Sequence, residues 1–176
     1  EKEERRSKRT KEESDLIYSK HKILENINII PGSNDESVID SDKLKTWISK
    51  VRELAEKDDR LESAEGVIGK LLSKYPKGLH DTWFPSVILE TLEEINSHRM
   101  LLMFEIGITN SRGVTVRGAN AGGTLEYDQA KIFDDIYNLT YVEFPNVSNV
   151  FKRIRDDYIR QAKREDNEAL GGKLNY

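Results

Sequence analysis

The chain of 176 residues contains no cysteine. Disulfide bonds, thiolate zinc sites and a cysteine nucleophile are therefore excluded, and we expect a reducing, cytoplasmic location. Long apolar runs are also missing, since the longest, residues 100–104, falls far short of the ~20 residues that span a bilayer. The sequence thus predicts no membrane partner.

An excess of one charge is absent as well. The chain has 28 lysines and arginines against 32 acids, a formal net charge of −4. Dedicated duplex-binding domains usually have a clearly basic balance, so this composition argues against one. Charged residues make up 34% of the chain and aromatic residues only 8%. Such a mixture is typical of amphipathic helices around a modest core.

Apolar side chains recur every three to four residues along most of the chain, which is the spacing of one helix face. We therefore predict an all-α fold, either a bundle or a short array of about six helices. The first predicted helix stops at Pro31-Gly32, and the second begins near Ser41 or Asp42, either of which could cap it. Two long final helices, separated by Pro145, should form an antiparallel hairpin.

The same pattern predicts the domain organisation. Residues 1–14 are almost wholly charged, which predicts a solvated helix extension or a linker. Residues 15–170 are expected to form a single helical domain. Residues 171–176 form a tail, because the pair Gly171-Gly172 should end the last helix.

Two glycines lie inside a predicted helix. Gly66 and Gly69 fall within the segment 61–75, where each costs about 1 kcal/mol of helix stability relative to alanine. They are three residues apart and therefore share one face of the helix. We predict that a neighbouring helix packs closely against this face.

Residues 110–124 interrupt the helical pattern. Five of the eleven glycines lie in or beside this segment, so it predicts a shaped loop. The loop leads into a helix that Thr124 could cap, and a helix N-terminus with nearby arginines can hold an anion. Arg112, Arg117, Asn120 and Thr124 are therefore the candidates for anion or partner binding.

A structural role for the same loop is favoured over a functional one. Glu126 and Asp128 already complement the dipole of the following helix, which weakens the case for an external anion. In this alternative the loop is a crossover whose arginines pair with acids on neighbouring helices.

Patterns typical of catalysis or metal binding are missing. No HExxH string occurs, and Glu94 and His98, four residues apart, are more typical of a surface pair than of metal ligands. Many acids lie four residues from a cation, as ordinary helix-surface pairs do: Lys152 with Asp156, Arg153 with Asp157, and Asp156 with Arg160. We predict no catalytic residue, no metal site and no cofactor, and hence no enzyme.

Four segments resemble a known kind of protein module. They are residues 47–55 (WISKVRELA), 60–72 (RLESAEGVIGKLL), 110–118 (NSRGVTVRG) and 164–169 (REDNEA). Together they are similar to a helical module at the C-terminal end of larger bacterial proteins of unassigned function, over roughly residues 44–170. The resemblance implies a fragment of a longer bacterial protein, and it implies no activity.

The function predicted is a non-catalytic protein-interaction or scaffolding module. Grooves between packed helices would receive a partner protein, the rest of the same chain or another copy. One alternative is a nucleic-acid accessory module, which would use the arginines of the loop and the last helix: Arg112, Arg117, Arg153, Arg155, Arg160 and Arg164. A second alternative is an enzyme acting on a phosphate-type ligand at the glycine-rich loop.

Overall fold

A computed structural model describes residues 9–34, 38–75, 83–111 and 122–173, the side chains of 171–173 excepted. Over these residues the chain is all-α, as predicted, with seven helices and no strand beyond one isolated antiparallel bridge between Ser33 and Ile39. The helices are α1 (Lys11–Glu25), α2 (Ser41–Lys57), α3 (Leu61–Leu72), α4 (Ser86–Ile95), α5 (His98–Asn110), α6 (Thr124–Thr140) and α7 (Pro145–Lys173).

The chain divides into two compact units. The first comprises Glu1–Pro76 and Ser97–Gly107, and the second comprises Lys77–Asn96 and Ile108–Tyr176. The first unit therefore contains α1, α2, α3 and most of α5. The second contains α4, α6 and α7.

Helix α1 differs from its predicted bounds at both ends. Thr10 caps it, because its hydroxyl accepts from the Glu13 N–H at 3.2 Å while the Glu13 carboxylate accepts from the Thr10 N–H at 2.8 Å. The predicted stop at Pro31-Gly32 is wrong. The helix ends at Glu25, because the side-chain amide and the backbone N–H of Asn26 both donate to the Lys22 carbonyl.

Helix α2 begins one residue after its cap. That cap is Asp40, whose carboxylate accepts from the Lys43 N–H at 3.0 Å, so neither Ser41 nor Asp42 caps the helix as predicted. The helix ends at Lys57, and Asp59 then adopts a positive φ of 54° that turns the chain. The chain therefore leaves the helical conformation directly after Lys57.

Glycines bring α3 and α5 together in the first unit, and the predicted close packing is confirmed at Gly69, whereas Gly66 faces only side chains of α5. A methyl group added at Gly69 would collide with the backbone carbonyl of Met100, and one at Gly107 would collide with the Ser73 hydroxyl. The two helices therefore approach each other closely at both of these glycines. Only a residue without Cβ permits this separation of the backbones.

One buried carboxylate, that of Glu65, links three helices of the first unit. Glu65 is 7% exposed, and its carboxylate accepts from the Arg52 guanidinium at 2.9 and 3.0 Å and from the Ser97 hydroxyl at 2.7 Å. Ser97 precedes α5, and its hydroxyl in turn accepts from the Met100 N–H. Glu65 thereby ties α2 and the start of α5 to α3.

The second unit is built on the antiparallel hairpin of α6 and α7. The ring of Phe133, which is buried in this unit, packs against the rings of Trp83, Phe151 and Tyr158. The ring centroids lie 4.9 to 6.5 Å from that of Phe133. Glu93 of α4 binds the start of α7. Its carboxylate accepts hydrogen bonds from the backbone N–H groups of Asn146 and Val147 at 2.9 to 3.1 Å.

Helix α7 does not end where the sequence predicted. It continues through Gly171 and Gly172 to Lys173. Glycine disfavours a helix interior by about 1 kcal/mol without forbidding it, so the pair is no obligatory stop.

The close contact of α3 with α5 predicts unequal changes in stability for two substitutions on α3. Gly69→Ala should lower the free energy of unfolding by about 1–3 kcal/mol, because the Met100 backbone cannot move aside. Gly66→Ala should leave it within about 1 kcal/mol of wild type or raise it, since the new methyl meets only the flexible side chains of Arg99 and Met103. Denaturant unfolding followed by circular dichroism measures both, and equal losses would contradict this close contact.

Candidate partner-binding groove

Helix α1 is only partly covered by the rest of the first unit. Ile17 is its single buried residue among those the structure describes. Three large apolar side chains remain open to solvent: Leu16 at 58%, Tyr18 at 61% and Ile23 at 69% exposure. A helix with apolar residues left over on its surface is typical of a site where another molecule packs.

An apolar groove with a volume of about 250 Å³ runs between α1, α2 and α3. Its apolar walls are formed by Ile17, Ile23, Leu24, Ile27, Trp47, Val51, Leu54, Ala55 and Ala64. Leu54 belongs to α2, lines the groove and is 50% exposed. The groove can therefore accept apolar side chains from a partner, since it offers few hydrogen-bonding groups along its floor.

Charged residues form the rim of this groove. The Lys20 ammonium pairs with the Asp58 carboxylate at 2.8 Å, which fastens α1 to the end of α2. The Arg9 guanidinium adds a hydrogen bond to the Asp58 carbonyl at 2.7 Å and an ion pair to Asp59 at 3.1 Å. Arg60 is an exposed cation on the same rim. With Asp58 neutralised by Lys20, the remaining rim charge is positive.

The site residues predicted from the sequence lie elsewhere. Arg112, Arg117 and Asn120 lie outside the described residues. Thr124 is the first residue of α6 and is exposed. Its predicted capping role is wrong, because Gly123 is the N-cap and no side-chain cap bond forms there.

The N-terminus of α6 already holds an anion from the same chain. The Asp166 carboxylate accepts the Gly123 N–H at 2.8 Å through Oδ1 and the Tyr127 hydroxyl at 3.2 Å through Oδ2. The pKa of the Tyr127 hydroxyl is raised, mainly by desolvation and to a smaller extent by the hydrogen bond to Asp166. Gly122 takes a positive φ of 58° beside the same carboxylate. Asp166 therefore occupies the position in which the sequence suggested an external anion.

Cations of the last helix are partly engaged with acids. The Arg155 guanidinium pairs with Asp134 at 2.7 Å and with Asp156 at 2.8 Å, and it lies 5.6 Å from the centre of the Tyr137 ring. Both carboxylates raise the pKa of Arg155, and the effect of Asp134 is the larger. Asp156 thus pairs with Arg155, and the predicted pairs of Asp156 with Lys152 and Arg160 do not form.

Sequence reasoning missed the carboxylates that organise both units. Glu65, Glu93 and Asp166 each bind groups more than ten residues away, so no local spacing marks them. Glu126 was considered only as a complement to the α6 dipole, yet it is fully buried. Glu126 shares a helix face with the apolar residues of α6, and this spacing was the one feature of the sequence that could have predicted its burial.

In the part of the chain that the structure describes, no group of three or more His, Asp or Glu side chains could hold a metal ion. None of the helices in that part has both the length and the apolar character needed to cross a bilayer.

Comparison of the chain with protein-family models, with curated proteins and with solved structures finds no match.

The Asp166 contacts predict a structural role for the start of α6. Asp166→Ala should lower the free energy of unfolding by about 1 kcal/mol, because the Gly123 N–H loses its acceptor. Glu168→Ala, an exposed acid on the same helix, is the matched control and should change it little. Thermal and chemical unfolding measure both variants, and a loss no larger than that of the control would contradict this role.

Proposed function

We propose that this chain is a non-catalytic protein-interaction module of a larger bacterial cytoplasmic protein. Its partner is an amphipathic helix that carries acidic residues beside its apolar stripe. The observation that supports this best is the apolar groove between α1, α2 and α3, whose lining includes the exposed side chains of Ile23 and Leu54.

The size and lining of the groove support a helical partner segment. A helix that docks by one face places apolar anchors at spacings of three and four residues, and such anchors fit a groove lined by aliphatic side chains and Trp47. Burying an exposed Ile or Leu side chain contributes about 1.5–3 kcal/mol. Ile23 and Leu54 alone would therefore supply a measurable part of the affinity.

The charge of the rim supports acidic flanks on that helix. Asp58 is the only acid among the lining residues and is paired with Lys20, so Arg60 remains as the positive charge of the rim. Opposite charge across a rim steers the encounter and disfavours like-charged partners.

The nucleic-acid alternative has less support, because Arg155 and Arg160 pair with carboxylates of the same chain. The enzyme alternative at the glycine-rich loop also has less support. Asp166 takes the N-terminal position of α6 that a phosphate-type ligand would need.

Designed peptides can test the partner chemistry. The probe is a helical peptide with leucines at positions i, i+3, i+4 and i+7 and glutamates beside them, compared with the same peptide carrying lysines. We expect the acidic peptide to bind the wild-type chain more tightly, as measured by fluorescence anisotropy. Ile23→Ser and Leu54→Ser should each weaken it about tenfold, the equivalent of ~1.4 kcal/mol.

Leu139→Ser is the matched control, because Leu139 is 61% exposed on α6 and does not line the groove. Binding by this variant should equal that of wild type. The proposal fails if the control loses as much affinity as the groove variants. It also fails if sedimentation shows a wild-type dimer that Ile23→Ser converts to monomer, since a second copy would then be the occupant.

A further inference from the structure

A second groove of the first unit differs in chemistry from the first. It has a volume of about 470 Å³ and lies between α1, α3 and α5. Polar and charged side chains form much of its lining: His21, Glu25, Ser63, Lys70, Lys74 and Arg99. Ile27, Leu71 and Met103 add an apolar part.

Three cations line this groove. Lys70 and Lys74 belong to α3 and the turn that follows it, and Arg99 belongs to α5. The Lys74 ammonium donates to the Asn28 side-chain carbonyl at 2.7 Å, which leaves its charge uncompensated. Within the described part of the chain, neither Lys70 nor Arg99 forms an ion pair.

Gly66 gives Arg99 its place in the groove. A methyl group at Gly66 would lie 3.1 Å from Nε and 3.5 Å from Cγ of Arg99, so this side chain lies flat against α3 where a side chain is absent. Gly66 and Lys70 are four residues apart on α3 and line the same groove, so the Arg99 side chain lies along the helix face that carries Lys70. A planar donor fork with two flexible ammonium groups suits an oxyanion of several charges.

Glu25 is the one acid among the residues that line this groove, and it already forms an ion pair. The Glu25 carboxylate pairs with the Lys22 ammonium at 3.0 Å, and Lys22 is not part of the lining. This bond, with the charges of Lys22, His21 and Lys70, lowers the pKa of Glu25. Glu25 is therefore ionised and compensated by Lys22, which leaves the charges of Lys70, Lys74 and Arg99 in excess.

We propose that this groove binds the phosphate group of a small phosphomonoester. The phosphate oxygens accept from Arg99, Lys70 and Lys74, and the Ser63 hydroxyl on the wall offers a further donor. The groove exceeds the size of a phosphate ion, so the organic part of the ligand lies against Ile27, Leu71 and Met103.

Calorimetric titration with phenyl phosphate and with inorganic phosphate tests this site. Wild-type chain should bind both, and phenyl phosphate more tightly, because only its ring can contact the apolar part of the groove. Arg99→Gln and Lys70→Gln should each weaken binding about tenfold, as expected for loss of a charge-assisted hydrogen bond. Both side chains are exposed, so the variants should fold, which circular dichroism checks.

Lys131→Gln and Lys163→Gln remove the same charge from exposed positions on α6 and α7 and are the matched controls. They should bind as wild type does. The proposal is overturned if control and groove variants lose equal affinity, because the effect is then one of overall charge. It is also overturned if wild-type chain binds neither probe at about 10 mM.

Discussion

The close approach of α3 and α5 is the constraint on which the first unit depends. Gly69 and Gly107 let the two backbones meet where any side chain would collide with Met100 or Ser73. Helix α3 also supplies one wall of the apolar groove through Ala64 and one wall of the polar groove through Gly66 and Lys70. Because both grooves use this helix, its fixed position determines the shape of each.

Carboxylates with distant partners hold the ends of the helices. Glu65 binds Ser97 just before α5, Glu93 binds the first N–H groups of α7, and Asp166 binds the N–H that precedes α6. The N-terminal N–H groups of a helix have no partner within the helix, and they carry partial positive charge. Glu93 and Asp166 satisfy both needs from another helix, and each thereby joins two helices.

Features encoded in local spacing could be predicted from the sequence. Periodic apolar residues predicted the all-α fold and the terminal hairpin, and Gly66 with Gly69 predicted a close helix contact, which Gly69 makes with Met100. The end of α1 could not be placed, because Ile27 and Ile30 continue the helical spacing beyond Asn26. Ile30 is nevertheless buried, so its apolar character serves the core without being helical.

The grooves could not be predicted, because each is formed by helices that are separated in sequence. Lys70 and Arg99 each look like an ordinary surface cation, and only the contact at Gly66 brings them to one groove. His21 of α1 and Ile27, two residues after its end, line both grooves, so α1 and the residues that follow it form a shared wall. A ligand that moves α1 in one groove must therefore change the shape of the other, and any coupling between the two would be reciprocal. The ion pairs of Lys20 and Arg9 with the end of α2 oppose such movement.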